Sequence, residues 1–157
     1  MNKETLQGVF FGLTEGTVTT IGIIIGMFAS TSLKKAIIGA VLAATVSDSF
    51  GDSIGLYYSE KASSTDSNPL RVVLGMVVIK VFVSLFYLLP IITVGNLKTA
   101  VICSLLLAFG VIISSLMYLA DMREEKEMKE FVGKNTLLVT VATGVSYLLG
   151  SLVDTYF

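Results

Sequence analysis

Glu15, Asp48 and Asp52 lie inside stretches that are otherwise composed for lipid. At the centre of a bilayer each acid costs roughly 2.5–3.5 kcal/mol on insertion scales. Together they cost as much as the whole stability margin of an ordinary domain. A chain that carries three such residues is expected to use them, and the default use is a path or binding site for cations. A fourth charge, Lys80, falls within the third apolar stretch. It reads either as a counter-ion to Asp48 or Asp52 or as part of proton coupling.

These charges fall at one depth. With a rise of about 1.5 Å per residue, Glu15 sits about 9 Å into the first apolar span and Asp52 about 9 Å from the end of the second. Asp48 comes out at about 15 Å and Lys80 at about 12 Å. Asp48 and Asp52 are also i and i+4, so they leave the same side of a helix. On the first span, Gly8, Gly22 and Gly26 fall within about 20° of Glu15 at 100° per residue, with Thr19 close to the line. Small residues mark the stripe where membrane helices approach closely, so Glu15 is expected to face a helix contact. Ser49 and Ser53 flank the aspartates.

The elements that must position this layer follow from composition. The chain has 157 residues, 54% of them hydrophobic, and a net charge of −1. Its mean hydropathy is +0.82, which belongs to the membrane class. Five apolar segments of spanning length can be marked: Val9–Phe28, Ala36–Tyr58, Val72–Val94, Thr99–Leu119 and Thr136–Tyr156. The expected fold is an all-α membrane protein, a bundle of five transmembrane helices in a single domain covering 1–157. The links Ser30–Lys35, Ser59–Arg71 and Gly95–Lys98 read as turns. The segment 121–134 is the one long charged stretch. Lys3, Lys61, Arg71, Arg123, Lys126, Lys129 and Lys134 fall on one side, and Lys34, Lys35 and Lys98 on the other. That bias places the N-terminus in the cytoplasm and the C-terminus outside. The expected location is the cell membrane of a prokaryote, with no cleavable signal peptide.

Composition also excludes. There is no basic face for nucleic acid. The chain has no His, and its single cysteine, Cys103, lies in an apolar run, so neither a disulfide framework nor a zinc or copper cage is expected. Met27, Met76 and Met117 read as packing residues, and Asp154 as an interface residue. In DMREEKEMKE (Asp121–Glu130), Glu124, Glu127 and Met128 share a helical face. A solvated surface is the plainer reading, and capture of cytoplasmic cations the sharper one.

Carboxylates without imidazole or thiolate suit hard or borderline divalent cations: Mn2+, Fe2+, Mg2+ or Ca2+. Taking a carboxyl out of water favours its protonated form. A cation must therefore displace protons to bind, and this competition is what an exchanger requires. Three rivals stand beside exchange: a passive divalent-cation channel, a non-transporting structural membrane subunit and an intramembrane aspartyl protease. The protease needs two acids on facing helices sharing a proton, whereas Asp48 and Asp52 share one helix, so the chain is not expected to be an enzyme.

The run FGLTEGTVTTIGIIIGM (Phe11–Met27) resembles the first span of the vacuolar iron transporter family, and GDSIGLYYSEKA (Gly51–Ala62) is similar to the end of its second span. YLLP (Tyr87–Pro90) and VSYLLGSLVD (Val145–Asp154) resemble its third and fifth spans. The resemblance implies a five-span homodimer that moves Fe2+ or Mn2+ out of the cytosol in exchange for protons, with no bound cofactor. By position, Glu15 falls at the family's first-span acidic ligand and Asp52 where many members carry methionine. The family's second-span glutamate falls near Ala44, which cannot ligate, and Asp48, one turn on, is the replacement. Exchanging thioether for carboxylate makes the site harder, toward Mn2+, Mg2+ or Ca2+. The Glu-rich cytoplasmic domain of plant-type members has no counterpart here. Close approach along the glycine stripe places the first span at or near the dimer contact.

Overall fold

A computed structural model describes residues 3–63, 68–122 and 128–156. The described residues form five helices and no strand: α1 (Lys3–Ser30), α2 (Lys34–Ser63), α3 (Pro69–Thr93), α4 (Leu97–Met122) and α5 (Met128–Tyr156). All five are long and apolar enough to cross a membrane. In a lipid setting this architecture is nearly forced, because each helix satisfies its own backbone polar groups.

The helices run past the apolar spans at several ends. α2 continues to Ser63 and α5 begins at Met128, both beyond the apolar spans. Glu and Lys are good helix formers, so leaving the apolar layer does not by itself end a helix. Definite stops come from local chemistry. Pro69 opens α3, where its missing N–H is not needed. Asn96 caps α4, its side-chain oxygen accepting from Thr99 N at 3.2 Å. The open carbonyls near the end of α3 receive Lys34, whose Nζ donates to Ile92 O at 2.9 Å and Val94 O at 3.3 Å.

α1 is the hub. It packs against all four other helices, most extensively α3 and α5. Its glycine stripe is divided between these two neighbours. Gly8, Gly12 and Gly16 lie against Val72, Met76 and Lys80 of α3, and Gly22 and Gly26 lie beside Ser146 of α5. Close approach at Gly8, Gly12 and Gly16 is thus made within the chain, whereas Gly22 and Gly26 line an open groove between α1 and α5. A Cβ on Gly8 would come within 2.9 Å of the Val72 carbonyl carbon and 3.0 Å of Met76 N. Both are backbone atoms, which cannot turn aside. Gly8→Ala is therefore expected to lower stability by about 1–3 kcal/mol, the usual range for overpacking, read by thermal unfolding in detergent.

One half of the bundle is sealed. Ile21, Ile24, Ile37, Val41, Leu88, Ile91, Ala100 and Val101 form a single buried apolar cluster toward the end that carries the C-termini of α1 and α3. The opposite half, toward the N-termini of α1 and α3, holds the charges.

Candidate functional site

The charge layer is assembled from three helices. α1 brings Glu15, α2 brings Asp48 and Asp52, and α3 brings Lys80. Lys80 is 1% exposed and forms ion pairs with all three acids. Its Nζ contacts Glu15 Oε2 directly, stands 2.5 Å from Asp52 Oδ2, where it donates a hydrogen bond, and lies 3.9 Å from Asp48 Oδ2. Among the described residues no other lysine or arginine pairs with these acids.

The local sequence explains the meeting. Gly16 follows Glu15 and removes a side chain where the α3 backbone passes. A Cβ at that position would sit 3.1 Å from Lys80 Cγ and 3.2 Å from Lys80 Cα. The lysine stem therefore lies on the bare α1 backbone, and its ammonium reaches the acid next to the glycine. The i, i+4 spacing of Asp48 and Asp52 then presents two acids from α2 to one ammonium.

The carboxylates are more open than the lysine. Glu15, Asp48 and Asp52 are 27%, 36% and 28% exposed. The acids thus lie on the outer side of the layer and Lys80 on its inner side. Thr19 Oγ1 donates to Glu15 Oε1 at 2.6 Å and fixes one carboxylate oxygen, leaving the other for the ammonium. Ser49 and Ser53 donate to the α2 carbonyls of Thr45 and Ser49. Their protons are used, so their oxygens offer only lone pairs to the surroundings.

Beyond the charges, two buried hydroxyl pairs tie α1 to α3. Thr17 Oγ1 donates to Leu13 O at 2.6 Å, which leaves it to accept from Tyr87 Oη at 3.0 Å. Thr20 and Ser84 pair at 2.9 Å. All four residues are at most 2% exposed. Sequence reasoning missed these partners, although Ser84 carries a signal: it lies one turn from Lys80 on the same face. It also missed Gly16.

The expected site residues thus separate into two sets. Glu15, Asp48, Asp52 and Lys80 are brought together. Glu124 and Glu127 of the surface reading lie outside the described residues, while Met128 is the first residue of α5 and half-buried. Met76 is buried against Gly12, and Met117 and Asp154 are exposed. At the end that holds the charges, Gln7 Nε2 donates to Glu60 Oε1 and Asn68 N donates to Glu4 Oε1 at 3.0 Å, tying α1 to the end of α2 and the start of α3.

Among the described residues no group of three or more His, Cys, Asp or Glu side chains is arranged to hold a metal ion. The geometry gives a physical reason. The acids aim at Lys80, so the ammonium fills the position between them, and a second cation can enter only as Lys80 gives way. Comparison with protein-family models, with curated proteins and with solved structures finds no match to this chain.

Proposed function

We propose that this chain moves a divalent cation, Mn2+ or Fe2+ foremost, out of the cytosol across the cell membrane of a prokaryote in exchange for protons. The observation that carries the reading is the convergence of Glu15, Asp48 and Asp52 on the buried Lys80 within helices fit for lipid. A purely structural subunit gains little from such a layer. Three acids and a lysine are costly there, and apolar residues of similar volume pack as well or better. An all-carboxylate donor set favours hard or borderline divalent ions.

The remaining features fit this use. The acids are part-exposed, whereas the far half of the bundle is closed by the Ile21–Ile24–Leu88–Ile91 cluster. The bias of basic residues puts the end that holds the charges in the cytosol. The resemblance of Phe11–Met27 to the first span of vacuolar iron transporters points the same way. We keep the homodimer as part of this reading. The open groove at Gly22 and Gly26 leaves α1 available at or near that contact.

The test is uptake into proteoliposomes across Mn2+, Fe2+, Mg2+ and Ca2+, with and without an imposed pH gradient. Exchange predicts that a vesicle interior more acidic than the bath drives divalent uptake and that collapsing the gradient slows it. Uptake indifferent to the gradient turns the reading into a passive channel, and none above protein-free vesicles ends it.

A further inference from the structure

The cluster has an uneven charge count. Three carboxylates face one ammonium, and among the described residues no second cation joins them. Two negative charges are left over in a layer whose far side is apolar. Thr19 adds a neutral hydrogen bond, and Ser49 and Ser53 are turned to their own helix. Nothing else described around the layer changes the sum.

That the layer is built around a cation is shown by the one it already contains. Lys80 is 1% exposed, and its stem lies in the space left by Gly16. An ammonium so placed is a tethered stand-in for an ion. When a mobile ion arrives, the tether lets Nζ shift but not leave the layer, so its charge still counts.

Resting on the transport reading above, we infer that Lys80 sets the valence of the cargo. The buried ammonium leaves the carboxylates two charges short of neutrality, so a divalent cation makes the loaded site neutral and a monovalent or trivalent one does not. A neutral loaded site crosses an apolar barrier without the penalty that a net charge meets there. Lys80 acts here as a specificity determinant and need not touch the ion.

The experiment is exchange of radiolabelled Mn2+ against equal unlabelled Mn2+ across proteoliposomes holding the full chain, with the membrane potential clamped. Only loaded carriers then cross, so the voltage response reports the charge of the loaded site. The wild-type rate is expected to change less than about twofold over about 100 mV. Lys80→Met and Asp48→Asn each leave one uncancelled charge. Their rates are expected to change on the order of tenfold over the same range, since one elementary charge crossing the membrane couples that strongly. Lys80→Arg keeps the charge and its exchange is expected to stay flat.

A strongly voltage-dependent wild type, or a flat Lys80→Met, overturns the inference while transport itself stands. No exchange by the wild type removes the transport reading, and this inference falls with it. Should both charge variants be silent, Mn2+ titration of the purified proteins decides. Lys80→Met must bind more tightly than wild type and Asp48→Asn more weakly, and the reverse order or no change refutes the assignment.

Discussion

Glu15→Gln and Asp52→Asn each reduce divalent uptake by on the order of 100-fold, and Asp48→Asn reduces it by on the order of tenfold. The size follows from Coulomb's law. Unit charges about 4 Å apart attract by about 4 kcal/mol at an effective dielectric constant near 20, and a divalent ion doubles the attraction. Part of that loss is recovered, because removing one carboxylate also removes its repulsion of the other two. The order follows from geometry. Glu15 and Asp52 meet the Lys80 ammonium directly, while Asp48 Oδ2 stands 3.9 Å away and its side chain is the most exposed of the three. If the ammonium marks where the mobile cation comes to rest, the acids closest to it are the strongest ligands. The check is initial uptake rate against Mn2+ concentration for the three variants, with equal protein per vesicle. Equal small losses in all three would mean that the cluster serves folding and that the ion passes elsewhere.

Much of this arrangement was readable in the sequence, for a physical reason. A bilayer allows few solutions, so apolar runs of spanning length translate into helices with little ambiguity. All five expected spans lie on the five helices, with only Val94 just past the end of α3, where it forms the cap. Depth was also readable, because helical rise converts position to height, and the four charges placed in one layer do meet. Which neighbour each face meets was not readable. Membrane helices are apolar on every face, so the pattern does not say which face meets a neighbour. The glycine stripe around Glu15 was visible, but not that it divides between α3 and α5. The central place of α1 was hidden for the same reason. So was the degree to which Lys80 is enclosed. A lysine about 12 Å deep in a span looks the same in sequence whether it snorkels to an interface or stands behind three acids. The hydroxyl pairs Thr17–Tyr87 and Thr20–Ser84 depend on α1 and α3 lying side by side, which no local pattern encodes. Helix ends beyond the apolar spans depend on local chemistry such as Pro69 at the start of α3 and the Asn96 cap of α4.

Removing the ammonium while keeping its stem has a large and diagnostic cost to stability. Lys80→Met retains an unbranched side chain that can lie along Gly16, where Lys80 Cγ passes 3.1 Å from a Cβ position, so packing is nearly conserved and the charge alone is lost. Three carboxylates are then left without their cation. Breaking a buried ion pair from one side costs about 3–5 kcal/mol because the abandoned charge stays desolvated. Here the acids are 27–36% exposed, and water recovers part of that cost, so a loss of roughly 2–4 kcal/mol is expected, measured by unfolding in detergent at neutral pH. The sign of the coupling identifies the cause. Glu15→Gln and Asp52→Asn introduced into Lys80→Met remove two of the three orphaned charges, so the triple variant should be more stable than Lys80→Met alone, even though each acid replacement by itself removes an ion pair to Lys80. Contacting residues are where such non-additivity is expected. If the three changes simply add, Lys80 supports the fold through its methylene stem, and the charge balance assigned to this layer no longer has a stabilising role.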